Sequence, residues 1–415
     1  MKIAILGNMN NTGFSLLRYF RDQGLDAHLL LYSNDGNGNL AHFNIDADTW
    51  QTDRWAPFIH QTQILNHSRT ILGSFQKRCL PVSSRFLAKE LSGYDRYVGS
   101  GIAPAAFQRA GMALDIFFPY GTGIEMYGTL ELVSSRRKSS LHRIWLDRLR
   151  KVQAQGIRNT RYCLNAELSL TKNSFIEIGK EFLSYFFPAV YNGESVPLSR
   201  PPGFHELANR MIASDFVVFS HARLQWVRSP EFSPEEWKSQ TKNSDFLIRG
   251  FAEFLVSNPG TNSLLVILEY GQDAQNSKQL CDELGISSNV CWVQKTARKN
   301  LMYLLSLSDV GVGEFYLDPG VIWGGTGWEI LSQGKPLLQS FNFSKQEFER
   351  EFEVPCPPVL DAKSSESVAK HLSHLFANQE VCKSVGESSK QWFDEYGGTG
   401  LARKWADLLL ERSGI

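Results

Sequence analysis

The feature that most constrains this chain is the alternation, in both halves, of short continuous apolar runs with stretches of helical period. Lys2-Ile3-Ala4-Ile5-Leu6 is the first run, and a Gly/Asn turn from Gly7 to Gly13 follows it. Residues 14–20 (FSLLRYF) open a helix that Gly24 closes, and residues 27–32 form a second apolar run. A strand that is apolar at every position is covered on both faces, as in a parallel sheet flanked by helices. Strand, helix and strand therefore read as a βαβ unit. The turn departs from GxGxxG, because Met9 stands where the second glycine would be. A tight turn facing a cleft is favoured here over a dinucleotide fingerprint.

The same rhythm continues along the chain. Strands are expected over 94–99, 114–118, 162–170 and 186–190, with a helix through Phe107 and another over 174–182. Pro197-Leu198-Ser199-Arg200-Pro201-Pro202-Gly203 has the composition of a linker. Beyond it the pattern gives strands over 216–219, 264–268, 290–293 and 309–313, and another beginning at Leu337. Helices are expected over 246–256, 277–284, 298–307, 366–376 and 401–411. A chain of 415 residues exceeds one ordinary core. Two domains are expected, 1–200 and 201–391. The fold class predicted is α/β, with two Rossmann-like doubly wound domains facing a cleft.

Composition excludes several classes of function. Apolar residues make up 42% of the chain and aromatics 12%, as in a globular protein. Lys and Arg together number 43 and so do Asp and Glu, so no overall basic field points to nucleic acid. The six cysteines are scattered without a CxxC pair, which suits a reduced, cytoplasmic setting. No apolar run approaches the length of a membrane span. Residues 134–161 are strongly basic, with Arg136, Arg137, Lys138, Arg143, Arg148, Arg150 and Lys151 among them. Leu141, Ile144, Trp145, Leu149 and Val152 share one helical face there. Such a helix suits an anionic membrane surface, or equally a helix packed on its own domain with a solvated charged face. Aromatics are not interleaved through the basic run, which argues against single-stranded nucleic acid.

Three stretches carry candidate chemistry. From Asp309 to Phe341 the chain reads as a buried strand, a Gly-rich loop, and a helix opening at Gly325-Thr326-Gly327, which Gly334-Lys335-Pro336 stops. Free N–H groups and the helix dipole make such an end an anion site, and Glu329, one turn in, is placed to reach sugar hydroxyls. Pro119-Tyr120-Gly121-Thr122-Gly123-Ile124-Glu125 is a polar loop at the carboxyl end of a strand, a ligand position or an ordinary connection. Asp46-Ala47-Asp48 matches the DxD triplet that sugar-nucleotide enzymes of another fold use for a divalent metal, but two aspartates in a polar loop are common by chance.

The order of features from Ser220 to Phe341 resembles the donor domain of GT-B-fold glycosyltransferases, in particular the retaining glycosyltransferase family 4. The matching pieces are Ala222-Arg223-Leu224, Lys242-Asn243, the strand end at Gly271, Leu284-Gly285-Ile286 with Asn289-Val290, and Trp328-Glu329-Ile330 before Gly334-Lys335-Pro336. The resemblance implies a transferase moving a sugar from a nucleotide-diphosphate donor to a saccharide or lipid-linked acceptor, in polysaccharide, lipopolysaccharide or glycolipid synthesis. It implies a cytoplasmic protein, peripheral on the inner membrane face, with a C-terminal helix in 392–415 packing back on the first domain. Arg223 and Lys242 stand at the family's diphosphate positions, with N–H groups of Gly325, Thr326 and Gly327 beside them, and Glu329 stands at the ribose position. No metal and no cofactor beyond the donor is expected. Acceptor-side residues would be Gly13, Tyr120 and Thr122, with Glu125 for positioning or proton transfer. Val321 replaces the first glutamate of the family's E-x7-E motif, leaving Asp318 or Glu314 as its stand-in. A sugar-nucleotide 2-epimerase or hydrolase, and a non-catalytic binding protein, are the alternatives on the same fold.

Overall fold

The computed structural model describes residues 1–32, 44–62, 84–119, 140–165, 170–195, 201–317 and 324–411. These residues form two compact units, each built on a six-stranded parallel sheet. Unit 1 comprises Met1–Asp46, Gln51–Tyr191 and Thr399–Ile415; unit 2 comprises Ala47–Trp50 and Asn192–Gly398.

The division falls at 191/192 rather than near 200. Tyr191 packs on Tyr19 at 4.9 Å between ring centroids, within unit 1. Asn192 donates instead to the Asp394 carboxylate of unit 2 (2.6 Å). The return to unit 1 begins at Thr399 rather than at 392. The helix Gln379–Tyr396 buries Trp392 and Phe393, and Trp392 stacks on Trp328 of unit 2 at 6.0 Å.

In unit 1 the strands are β1 (Lys2–Leu6), β2 (Asp26–Tyr32), β3 (Ile59–Thr62), β4 (Arg96–Gly99), β5 (Ile116–Phe117) and β6 (Tyr162–Cys163), in the spatial order β3-β2-β1-β4-β5-β6. Of the expected strand over 162–170, Tyr162–Cys163 form β6 and Leu164 adds a bridge to Leu183, while residues 166–169 lie outside the described residues. Residues 186–190 form no strand. Side chains take their carbonyls instead: Trp405 Nε1–H donates to the Phe186 carbonyl (3.2 Å) and the Tyr19 hydroxyl to that of Val190 (2.9 Å). The apolar residues of that segment serve packing, not a ladder; Phe186 and Val190 are both buried.

In unit 2 the strands are β7 (Phe216–Ser220), β8 (Ser263–Glu269), β9 (Val290–Gln294), β10 (Val310–Val312), β11 (Leu337–Gln339) and β12 (Val359–Asp361), ordered β12-β11-β10-β7-β8-β9. Each sheet is wound alike. Its first strand lies at the centre, the second and third follow on one side, and the chain then crosses to the other side for the fourth. In such sheets ligands bind outside the carboxyl ends of the strands where the winding reverses. Those points are β1/β4 in unit 1 and β7/β10 in unit 2, and all recorded pairings are parallel. The unit 2 core around them joins Val218, Leu265, Ile267, Val310 and Val312 to Ile248, Phe251 and Leu372 from helices.

The turn after β1 is held by side chains rather than by a glycine fingerprint. The Phe14 N–H donates to Asn8 Oδ1 (2.8 Å) and Asn8 Nδ2 to Asn11 Oδ1 (2.8 Å). Gly13, expected on this loop, lies in the helix Thr12–Asp22 and is buried. A Cβ there would stand 2.2 Å from the Gly7 carbonyl oxygen, so Gly13 lets the helix close on the turn after β1.

Candidate functional site

The winding reversal between β7 and β10 gathers the residues with chemistry. After β7 the segment from His221 to Val227 is stapled on both sides. The Leu224 N–H donates to the Tyr270 carbonyl (2.7 Å) and the Asp273 N–H to that of Leu224 (3.2 Å). One oxygen of the buried Asp273 carboxylate accepts from the Trp226 N–H (2.7 Å) and the Val227 N–H (3.0 Å). Gly271, at φ +127°, permits this approach, since a Cβ there would lie 2.2 Å from the Leu224 carbonyl oxygen. On the other side the Lys242 N–H donates to the Gln225 carbonyl (2.8 Å) and the Gln225 N–H to Ser244 Oγ (3.1 Å).

Lys242 is in turn tied to the end of β10. The Phe315 N–H donates to the Lys242 carbonyl (3.0 Å), and Asn243 Nδ2 to that of Phe315 (2.7 Å). Its ammonium lies 3.0 Å from Glu314 Oε2 and 3.7 Å from the Tyr316 ring centroid. Burial pushes the Lys242 pKa down and Arg223 adds to that, while Glu314 opposes both; the net direction is down. Arg223 is exposed, donates to the Tyr270 hydroxyl (3.1 Å), and lies 5.4 Å from that ring's centroid. The sequence-predicted cations thus meet in one place, with one carboxylate beside them.

The helix Gly325–Ser332 begins beside this pair. Its cap, Gly324, offers no side chain to the first N–H groups, and a Cβ on Gly325 would meet nothing within 4 Å. Gly327 differs from expectation. It is buried, and its N–H already donates to the Gly324 carbonyl (3.1 Å), which leaves Gly325 and Thr326 at the open end.

Glu329 turns inward and is 6% exposed, with Oε2 at 2.5 Å from His221 Nε2 and Oε1 at 2.6 Å from Arg298 Nε. Arg298 also pairs with Asp48 at 2.8 Å. Burial pushes the Glu329 carboxyl up, but Arg298 and His221 outweigh it and hold the pKa below the ordinary value. His221 Nδ1 is buried with no hydrogen-bond partner among the described residues. Asp48, one half of the DxD triplet, is thereby committed to a guanidinium, and Asp46 accepts from the Thr52 hydroxyl (2.9 Å). Among the described residues no group of three or more His, Cys, Asp or Glu side chains could hold a metal. Tyr120, Thr122, Glu125, Asp318 and Val321 lie outside the described residues.

His221 and Arg298 escape a reading of the sequence, because each is a lone residue in a loop or at a helix start. Only the fold brings them to a glutamate 108 and 31 positions away.

No protein-family model matches the chain, and no curated protein matches it by sequence. Solved structures do. WaaG, a glycosyltransferase involved in lipopolysaccharide biosynthesis, is 15% identical; the match covers 99% of this chain and 100% of that one at a TM-score of 0.53. The chain has the GT-B fold. The GT-B neighbours include Alr3699/HepE of Anabaena, solved in complex with UDP, at 14% identity, 99% coverage of both chains and a TM-score of 0.57. A structure of that protein holds UDP-glucose. A protein named as a UDP-N-acetylglucosamine 2-epimerase from Listeria monocytogenes matches at 11% identity and a TM-score of 0.50, covering 98% of this chain and 94% of that one. At these identities the likeness is one of fold.

Proposed function

We propose that this chain is a glycosyltransferase that takes its sugar from a nucleotide-diphosphate donor bound in unit 2. The observation that carries this reading is the meeting of Arg223 and Lys242 at the winding reversal, beside the open amino end of Gly325–Ser332. A reaction that releases a nucleoside diphosphate builds negative charge on the leaving group, and fixed cations with a helix terminus stabilise that charge. The solved GT-B neighbours with UDP and UDP-glucose support the same class of ligand. In this reading the two cations and the Gly325 and Thr326 N–H groups hold the diphosphate, and no metal is needed. Glu329 takes the ribose hydroxyls through lone pairs left beside Arg298 and His221. A hexosyl donor, retention of configuration, and a saccharide or lipid-linked acceptor in surface-polysaccharide or lipopolysaccharide synthesis complete the proposal, with Glu125 and Asp318 as catalytic candidates. Incubation with UDP-sugars and lipid or saccharide acceptors tests it. Acceptor-dependent release of UDP supports the reading; binding of donor without turnover by any acceptor counts against it.

The match to the protein named as an epimerase supports a second reading, a nucleotide-sugar epimerase or hydrolase. Incubating the donor alone separates the two, because only the second reading gives a changed or freed sugar without acceptor.

A lipid-linked acceptor would bring the protein to a membrane surface. No described helix is long and apolar enough to cross a membrane. The helix Ser140–Asn159 exposes Arg148, Lys151 and Arg158 while burying Leu149, Ala154 and Ile157, and its exposed cations are the face that would meet an anionic surface. Co-sedimentation with anionic liposomes is expected, and to fall when Arg136, Arg137, Lys138, Arg148 and Lys151 are replaced by Gln. Absence of binding by the unaltered protein removes this part of the proposal.

A further inference from the structure

We propose that Glu314 is a built-in counter-anion, one that fills the phosphate position of the ligand-free chain and is displaced when a diphosphate binds. The inference rests on the donor-site reading above and adds a control element to it. The Glu314 side chain is nine-tenths buried, and its Oε2 lies 3.0 Å from the Lys242 ammonium. Apart from that ion pair, this oxygen is buried without a hydrogen-bond partner among the described residues. A Cβ on Gly324 would stand 2.6 Å from the same oxygen, so the carboxylate lies directly against the capping residue of the helix Gly325–Ser332. A lysine and a helix amino end are the two partners a phosphate oxygen would seek. Glu314 already pairs with the first and lies against the second.

The surrounding backbone is fixed and only the side chain is free to leave. Phe315 is bonded through its N–H to Lys242 and through its carbonyl to Asn243. Gly313, just before, is packed so closely on Gln339 that a Cβ would lie 2.2 Å from that side chain's oxygen. Two anions cannot share one ammonium at these distances without strong repulsion. A diphosphate seeking this ammonium at close range competes with the carboxylate for it, and whatever stability the Lys242–Glu314 pair gives the free chain is then subtracted from the affinity. The pair has a clear use. Without an anion, Lys242 would be buried beside Arg223 with no opposite charge, a costly arrangement.

The test is calorimetric titration of UDP and of inorganic pyrophosphate into the unaltered chain and into Glu314→Gln, with thermal denaturation alongside. Glu314→Gln is expected to bind both ligands at least about fivefold more tightly, since it removes a competing charge. Its ligand-free Tm is expected to fall and the rise in Tm on adding UDP to grow. If this variant does not fold, Glu314→Asp, which draws the carboxylate back by one methylene, is expected to shift affinity in the same direction. Unchanged or weaker binding of both ligands overturns the inference. If pyrophosphate binds but no nucleoside diphosphate does, the donor reading fails while the pyrophosphate comparison still decides the role of Glu314. If neither ligand binds either protein, both fall.

Discussion

Replacing Glu329 by Gln is expected to lower the stability of unit 2 by about 3 kcal/mol, because a buried ion pair broken from one side leaves its partners uncompensated. Arg298 keeps Asp48 at 2.8 Å, so the guanidinium is not left wholly unpaired, and the estimate sits at the low end of such losses for that reason. His221 has no such second partner among the described residues. A Tm about 6–12 °C lower follows for a unit of this size, and calorimetric unfolding would measure it. The acid dependence checks the cause. The folded pKa of Glu329 lies below its ordinary value of 4.5. Its contribution is therefore fully present above that value and lost as pH falls through the folded pKa. The gap in urea midpoint between the unaltered chain and Glu329→Gln should narrow as pH drops below 4.5. A gap that stays constant would mean that shape, not charge, holds the network.

Lys242 gives the second large effect, with two signs that oppose each other. Burial lowers its pKa below the ordinary 10.5. On the proposed donor reading UDP binding needs the ammonium, so affinity is expected to fall as pH rises through the lowered pKa, before an exposed lysine would lose its proton. Folding stability moves the other way over the same interval. Between the folded pKa and 10.5 the unfolded chain binds more protons, so this group's contribution rises with pH. In Lys242→Met, UDP affinity should be reduced at least about a hundredfold, by loss of a charge-assisted contact, and its alkaline fall should disappear. Titrations from pH 7 upward, paired with denaturation curves, separate the two trends. An alkaline fall of equal size in the variant would assign the titration to another group.

Much of the architecture could be read before the structure. Both sheets follow from runs such as Ile3-Ala4-Ile5-Leu6 and Leu264-Leu265-Val266-Ile267, because a strand buried on both faces leaves no polar position to blur the pattern. Short edge strands were less legible. β6 has two residues, and the apolar stretch beyond it packs through side-chain bonds to Trp405 and Tyr19. Two helices were overlooked although their start signals stand in the chain. Ser233-Pro234-Glu235-Glu236 and Ser344-Lys345-Gln346-Glu347 are S-x-x-E capping boxes, and both are formed. At the site, Arg223 and Lys242 stand out in the sequence only through the resemblance to a GT-B donor domain, whereas the Gly325 helix end reads directly from the Gly-rich loop before it. The pairing of Asp48 with Arg298 spans 250 positions, and nothing local in either residue announces it. The same is true of Glu314, one of two stand-ins read from the sequence; its carboxylate meets Lys242 only because β10 lies beside β7.

Calorimetric titration of UDP into the unaltered chain and into the doubly substituted Arg223→Ala/Lys242→Ala chain tests the central claim most directly. Saturable binding by the first and none by the second, with both proteins folded, is the predicted result. Equal affinity in the two, or no binding of any nucleoside diphosphate by the unaltered chain, would contradict a donor site at the winding reversal of unit 2.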